Sequence, residues 1–194
     1  NDANLFSKMA EAKGNFMIHI GCDCPEDEMR REIWKYAENI VKPGDIFCFF
    51  ISNHGSDGFL FVEDNISGYT ESELREDINK FSDKNVAVIS IIMACHSDGM
   101  VKGKRKNEAF VVSCLEDQYS VAIKDKYSYF SWYMSVAGWE RSYADARLIG
   151  FEDQNGNEDG NITFYELANY TKQLYKGGDI AEKTFWFNTP YNKS

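Results

Sequence analysis

Two long apolar runs along the chain stop abruptly in short stretches of small and polar residues. Residues 86–93 read VAVISIIM and are followed by ACHSDG, whereas Ile46–Ser52 reads IFCFFIS and is followed by NHGSDG. Continuous apolar runs of this length are typical of strands buried in a largely parallel sheet. Open α/β sheets bind their ligands at the carboxyl ends of such strands. We therefore expect the chemistry of this protein where these two runs end.

Helical patterns alternate with the apolar runs. Apolar residues at helical spacing, with capping and turn residues at their ends, predict several helices and further short strands. The helices are expected over residues 1–12, 25–41, 70–81 and 127–139, with a last helix capped by Thr163 and Glu166, and the further strands over residues 16–20, 59–63 and 109–115. This alternation predicts an α/β fold with a largely parallel sheet.

Composition narrows the functional classes. The 194 residues fit one domain, and 43% hydrophobic with 15% aromatic residues fits a globular protein. The net charge of −10 argues against a nucleic-acid or anionic-membrane partner. No apolar run approaches the roughly 20 residues of a membrane span. The five cysteines are odd in number and lie partly in predicted strands, so we expect thiols, a reducing compartment and a cytoplasmic location.

Cys95 and His54 each follow one of the two apolar runs, so neighbouring parallel strands would bring a thiol and an imidazole together. A thiol attacks a carbonyl efficiently when a base takes its proton, and imidazole titrates near neutral pH. The backbone N–H groups of Gly55 and Cys95 would then form an oxyanion hole. The alternative is a buried structural thiol and a loop histidine, but two strands that each end in one of these residues favour catalysis.

Several short segments, in the same order along the chain, resemble motifs of caspase-like cysteine peptidases. The resemblance is closest to the metacaspases and the bacterial caspase-family proteins. The segments are FISNHG at 50–55, ACHS at 94–97, NDA at 1–3, EDQYS at 116–120, GNITFYELANY at 160–170 and NTP at 188–190. Each segment alone is a weak signal, but together they cover nearly the whole chain.

The resemblance implies a caspase-like three-layer αβα sandwich with a mostly parallel central sheet. It also implies a cysteine endopeptidase that hydrolyses protein or peptide substrates through an acyl-enzyme, with no cofactor required for the chemistry. Cys95 would be the nucleophile, His54 the general acid and base, and the N–H groups of Gly55 and Cys95 the oxyanion hole. His96 would be a neighbour of the nucleophile and not the base, because adjacent side chains on an extended segment point in opposite directions.

The pocket for the substrate residue before the cleaved bond, P1, departs from the metacaspase pattern. Metacaspases bind a basic P1 side chain with acidic residues, but Met93 and Ala122 occupy two of the acidic positions here, and Asp2 retains a third. The specificity is therefore expected to be atypical, with a basic P1 still possible, and a catalytically silent interaction module is the alternative function. The implied substrate-binding residues are Asp2, Ser52, Met93, Asp117 and Gln118.

A basic run follows the nucleophile at the place where related enzymes carry a processing loop. Its residues are Lys102, Lys104, Arg105 and Lys106. Exposed lysine and arginine side chains suit cleavage by the enzyme itself or by another protease, and an ordinary solvated loop is the alternative.

The first strand of the family has no counterpart in this sequence. That strand normally lies in the middle of the sheet, so this chain alone would leave a gap. We expect the chain to be a portion of a longer or processed protein, in which a flanking segment or domain supplies the strand.

Residues near the C-terminal end match part of an EF-hand calcium loop. Oxygen ligands at alternate positions, a turn-permitting glycine and a late glutamate suit a hard cation. The candidate ligands are Asn155, Asn157, Asp159, Asn161 and Glu166, and only two of them carry charge. This predicts weak Ca²⁺ binding and a possible calcium-responsive scaffold, whereas the alternative is a polar turn and a cap for the helix that starts after Thr163.

Overall fold

The computed structural model describes residues 2–13, 17–21, 24–62, 68–120, 127–146, 156–176 and 187–188. Of the residues and segments singled out above, the following lie outside these ranges: Asn1, Phe16, Glu63, Ala122, Asn155, Thr189 and Pro190. The chain divides into two compact units, one formed by residues 21–119 and 186–194 and the other by residues 1–20 and 120–185.

The first unit, residues 21–119 and 186–194, contains the strands. In chain order they are β1 (Ile46–Ser52), β2 (Gly55–Ser56), β3 (Phe59–Phe61), β4 (Gly68–Thr70), β5 (Ala87–Met93), β6 (Glu108–Val112) and β7 (Phe187–Asn188). The main sheet has the order β1-β5-β6-β7, in which β1, β5 and β6 are parallel and β7 is antiparallel. A second sheet, β2-β3-β4, is antiparallel. The predicted mostly parallel sheet is therefore confirmed.

Strands β1 and β5 form where the two apolar runs predict them. They pair in register from Ile46 opposite Ala87 to Ser52 opposite Met93, so both strands end at the same level. Among the described residues, the strands of the main sheet pair without a gap between them, and β1 lies at one edge. The strand expected from a flanking segment or domain stays a prediction.

Two helices of this unit pack against each other, and their apolar side chains join those of β5 and β6 in the core. They are α2 (Glu26–Asn39) and α3 (Glu71–Ser82). The predicted capping of α3 is present, because Thr70 Oγ1 accepts from Glu73 N at 3.3 Å and the Glu73 carboxylate accepts from Thr70 N at 2.8 Å. The reciprocal bonds satisfy two N–H groups that the first turn of a helix leaves open.

A buried carboxylate ties α2 to α3. Asp77 is 1% exposed and accepts hydrogen bonds from Trp34 Nε1 at 2.6 Å, from Tyr69 Oη at 2.8 Å and from the Arg30 guanidinium at 3.1 Å. Burial, with the neighbouring Asp77 charge, raises the pKa of Tyr69 well above its ordinary value, so its hydroxyl stays a donor. A buried charge with this many donors is compensated and holds the two helices in one arrangement.

The second unit, residues 1–20 and 120–185, contains helices. They are α1 (Asp2–Lys13), α4 (Tyr129–Ser131), which continues as a π-helix over Trp132–Glu140, and α5 (Phe164–Lys176). The predicted helix over 127–139 is thus present, but most of it is π-helical. Gly138 allows close packing there, because a Cβ at this position would lie 2.8 Å from Leu167 Cδ1.

The strand predicted over residues 16–20 is wrong for its described part. Residues 17–20 form no strand, and Met17 and Ile20 are 72% and 41% exposed. An apolar pattern becomes a strand only when another strand supplies hydrogen-bond partners, and no described strand pairs with these residues. Within the described part of the chain, no helix is long and apolar enough to cross a membrane.

Candidate active site

The carboxyl ends of β1 and β5 bring the His54 segment against the Cys95 segment. The parallel pairing continues one residue past β1, because Asn53 N donates to the Met93 carbonyl at 3.1 Å. Beyond this point the two chains touch at Gly55. A Cβ added to Gly55 would lie 2.3 Å from the Cys95 carbonyl oxygen and 3.0 Å from the Ala94 Cβ. Only glycine permits this approach without displacing the segment of Cys95, the predicted nucleophile.

The backbone of His54 is fixed by the β2–β3 hairpin, while the residue itself is exposed. Its carbonyl accepts from Phe61 N at 3.0 Å, and its N–H donates to Asn53 Oδ1 at 2.8 Å. Asn53 also donates from Nδ2 to the Phe61 carbonyl at 2.6 Å. The Asn53 side chain therefore braces the hairpin that carries His54, a role that sequence reasoning missed because the bond joins residues eight positions apart.

A buried serine holds the start of the Cys95 turn. Ser113 Oγ accepts from Ala94 N at 3.1 Å and donates to the Ala94 carbonyl at 2.9 Å. One side chain thus satisfies both polar groups of the residue before the nucleophile. The sequence gives a weak signal of this, since a serine directly after the buried strand β6 is a natural partner for buried backbone groups.

The residues after Cys95 are held by the end of β6 in the same way. Ser97 Oγ donates to the Cys114 carbonyl at 3.2 Å and accepts from Cys114 N at 3.2 Å. Cys114 Sγ in turn donates to the Ala94 carbonyl at 3.1 Å. Because Ala94 and Ser97 flank Cys95 and His96, the turn that carries the predicted nucleophile is held on both sides.

His96 adopts a left-handed backbone conformation, with φ 55° and ψ 25°. Its Nδ1 lies 2.6 Å from the Glu116 carbonyl oxygen, and its ring packs edge-on against Tyr119 with centroids 4.9 Å apart. A carbonyl oxygen only accepts hydrogen bonds, so Nδ1 carries a proton. The His96 ring is thereby engaged with residues 116–119.

The predicted substrate-binding residues fall in both units. Ser52 and Met93 end β1 and β5, and Met93 is buried. Asp117 is exposed in the loop after β6, where Gln118 Oε1 accepts from Leu115 N at 3.2 Å. Asp2 belongs to the unit of residues 1–20 and 120–185, where its Oδ1 accepts from Ser128 N at 2.9 Å.

Two acidic side chains lie beside the nucleophile turn. Burial and the charge of Glu116 raise the pKa of Asp98 above its ordinary value. Glu116 reaches toward this turn, since its Cγ would be 3.5 Å from a Cβ on Gly99. Asp98 and Glu116 therefore lie close together, and burial with their mutual repulsion favours the neutral form of Asp98.

The basic loop after the nucleophile is held at its far end. Lys102 and Lys106 are exposed, and Arg105 pairs with Asp83. Burial lowers the pKa of Lys104 from its ordinary value. The Arg105 N–H donates to Glu108 Oε2 at 2.8 Å.

The predicted calcium ligands are engaged with one another and with the adjacent helix. Asp159 accepts from Asn161 N at 2.7 Å and from Asn157 Nδ2 at 2.9 Å, and hydrogen bonds from both lower its pKa. Glu166 accepts from Thr163 N and Thr163 Oγ1, each at 2.8 Å, so the predicted helix cap is present. Across the described ranges, no group of three or more His, Cys, Asp or Glu side chains is placed to hold a metal ion. Calcium binding stays a prediction.

In this α/β sheet, a thiol and an imidazole follow the ends of adjacent strands. The resemblance to caspase-like peptidases predicts this arrangement. A sequence model of the caspase domain matches residues 1–143. The chain therefore belongs to the caspase domain family, a family of cysteine peptidases, and the expected family is confirmed. Among curated proteins, none matches this sequence.

The fold is similar to that of a solved caspase. The crystal structure of caspase-1 from Spodoptera frugiperda matches with a TM-score of 0.59 and 19% sequence identity, over 75% of this chain and 61% of that chain. This chain thus spans less than two thirds of the length of that caspase. The likeness confirms the expected caspase-like fold with its mostly parallel central sheet.

Proposed function

We propose that this protein is a caspase-like cysteine endopeptidase, in which Cys95 is the nucleophile and His54 the general acid and base. The observation that carries the proposal is the contact at Gly55. A Cβ on Gly55 would lie 2.3 Å from the Cys95 carbonyl oxygen, so the residue next to His54 and the residue that bears the thiol belong to touching segments. Proximity of a thiol and an imidazole is the first requirement for nucleophilic catalysis.

The chemistry follows from these groups. His54 takes the thiol proton while Cys95 Sγ attacks the scissile carbonyl carbon, and the oxyanion accepts hydrogen bonds from the N–H groups of Gly55 and Cys95. The C–N bond then breaks, and the leaving amine takes the proton from the imidazolium. Water attacks the resulting thioester, gives a proton to His54 and releases the acid with the thiol restored.

The contacts of His96 support His54 as the base. His54 is close to Cys95 in the fold and His96 follows it in the sequence, so the ring of either histidine is a candidate for the base. The His96 Nδ1–H donates to the Glu116 carbonyl, which points this ring at the loop of residues 116–119. The exposed His54 remains accessible to substrate.

Labelling with an electrophilic peptide tests this mechanism. A peptide carrying a thiol-reactive group at the position of the cleaved bond should modify Cys95 and no other cysteine. Cys95→Ala should abolish the modification, and His54→Ala should slow it by about 10²-fold or more, in line with the contribution of a general base. His19→Ala serves as the matched histidine control, because His19 belongs to the other unit. Absence of labelling in the folded wild-type protein would refute the peptidase and favour the silent interaction module.

We propose a basic P1 residue in the substrate. The support is the pair of exposed carboxylates of Glu116 and Asp117 in the loop that follows β6. A library of peptides that vary only at P1 should give faster cleavage with Arg or Lys than with Gln or Leu. Equal rates for charged and neutral residues would contradict this specificity.

The loop after the nucleophile is proposed as the processing site, and the reducing cytoplasm as the location. Lys102 offers an exposed basic side chain for cleavage. Cys48 and Cys114 are thiols in the packed sheet region, which fits a reducing compartment. Incubation of the purified protein should give two fragments that meet in residues 102–106, and Cys95→Ala should prevent the cut if the enzyme makes it.

A further inference from the structure

His96 holds a backbone conformation that costs energy for any residue with a side chain. Its φ of 55° and ψ of 25° lie in the left-handed region, where Cβ comes close to the carbonyl oxygen. Such a residue keeps this conformation only when its surroundings over-determine it, and strained positions of this kind cluster at functional sites. The residue directly follows Cys95, so whatever holds it also sets the nucleophile turn.

Three contacts join His96 to the loop of residues 116–119, beside a bond within its own turn in which the His96 carbonyl accepts from Gly99 N at 3.0 Å. The His96 N–H donates to the Gln118 carbonyl at 2.9 Å. Nδ1 donates to the Glu116 carbonyl at 2.6 Å, and the ring packs edge-on against Tyr119. Tyr119 is 62% exposed, so this contact lies at the surface of the unit and not in its core.

Hydrogen bonds within the loop of residues 116–119 and its neighbour Leu115 shape the loop itself. The contacts with His96 instead connect the loop to the Cys95 turn. Gln118 N donates to the Leu115 carbonyl at 3.1 Å, and Gln118 Oε1 accepts from Leu115 N at 3.2 Å. These bonds shape the turn but join neighbours in sequence. The bonds from His96 cross from the end of β5 to the loop after β6, about twenty positions away. They add to the bonds of Ser97 and Asp98 with Cys114 in fixing where the turn lies relative to Cys95.

We propose that His96 is a positioning residue that ties the Cys95 turn to the loop of residues 116–119, so that a peptide bound along this loop meets the thiol. This rests on the proposed peptidase function and adds a requirement to it. The left-handed backbone directs the side chain of His96 toward the loop, and the Nδ1–H closes the connection. His96 takes no part in proton transfer.

Three variants separate the backbone requirement from the side-chain requirement. Asparagine accepts the left-handed conformation and carries Nδ2, attached to Cγ as Nδ1 is in histidine, so His96→Asn retains both features. His96→Gly retains the backbone freedom but loses the donor. His96→Ala loses the donor and keeps the strain. Because glycine relieves strain, His96→Gly folds even where His96→Ala does not.

Two measurements on the whole chain test the proposal. Hydrogen exchange of the amides at residues 114–119 should quicken by about tenfold in His96→Gly and His96→Ala, the loss expected for one charge-free hydrogen bond, and stay within about threefold of wild type in His96→Asn. Peptide cleavage should show the same order, with a raised KM, while alkylation of Cys95 by iodoacetamide, which needs no bound peptide, should change little.

The outcomes distinguish this inference from the proposed function. Unchanged exchange and unchanged kcat/KM in His96→Gly would overturn the positioning role while leaving the peptidase intact. A wild-type protein that neither cleaves nor labels would refute the peptidase. In that case the exchange data still decide the connection: faster exchange in His96→Gly supports it, and equal exchange overturns it.

Discussion

Gly55→Ala should separate the two strand ends that form the proposed active site. The added Cβ would lie 2.3 Å from the Cys95 carbonyl oxygen, which is backbone and cannot rotate away. A carbon and an oxygen atom in ordinary contact are at least about 3.3 Å apart, so the His54 and Cys95 segments must move apart by about 1 Å. A misplacement of this size costs about 10²-fold in rate. Crowding of this kind costs about 1–3 kcal/mol in the free energy of unfolding.

The assay compares the rate constant for labelling by the electrophilic peptide with the free energy of unfolding in urea. Gly58→Ala is the matched control, because Gly58 lies in the turn of the β2–β3 hairpin to which Gly55 belongs, and an added Cβ would have no atom within 4 Å. Its φ of 75° makes alanine strained there, so the control also loses stability. We expect only Gly55→Ala to lose labelling. A folded Gly55→Ala protein that labels within about threefold of the wild-type rate would refute the described contact between the segments.

Two further predictions concern buried groups of the same unit. Ser113→Ala removes a partner from both backbone polar groups of Ala94. It should lower the free energy of unfolding in urea by about 1–3 kcal/mol and slow peptide labelling. Ser90→Ala is the control, because its buried Oγ has no hydrogen-bond partner among the described residues, and its loss should leave stability unchanged or higher. Cys48 as a whole is half-buried, but burial of its thiol raises the pKa of this residue from 9.0 to about 12. Iodoacetamide at pH 8 should therefore modify Cys95 and spare Cys48 in the native protein, as measured by mass spectrometry. As the pH rises, Cys48 loses its proton at a lower pH in the unfolded chain than in the folded chain, so the free energy of unfolding should fall between about pH 9 and 12. Equal modification of both cysteines at pH 8, or stability that does not fall with pH in this range, would contradict the burial of the Cys48 thiol.

The main strands were predictable because their apolar runs are continuous and end in turn residues. Burial on both faces leaves this signature without any knowledge of the partner strands. Residues 17–20 show the limit of the same reasoning, since a strand also requires a neighbour that sequence pattern does not reveal. The π-helix over Trp132–Glu140 shows another, because helical periodicity does not report how closely Gly138 packs on Leu167.

The placement of His54 and Cys95 after the ends of two adjacent strands was predictable, but the hydrogen bonds that support these segments were not. Ser113 and Asn53 act through bonds to backbone groups, and any residue offers such groups. Their roles follow from the register of β6 beside β5 and from the hairpin, which are properties of the fold. His96 is next to Cys95 in the sequence, but its left-handed backbone is visible only in the structure.

The contacts of Glu108 predict whether the two fragments stay associated after cleavage in the basic loop of residues 102–106. Glu108 is fully buried at the start of β6, where it accepts from Arg75 Nη1 at 2.7 Å and from Ser82 Oγ at 2.6 Å, both on α3. A cut after Lys102 would place α3 and β5 on one fragment and β6 on the other. The ion pair and the β5–β6 backbone hydrogen bonds would still hold the two fragments together. The cleaved protein should therefore migrate as one species in native gel electrophoresis and as two chains in denaturant.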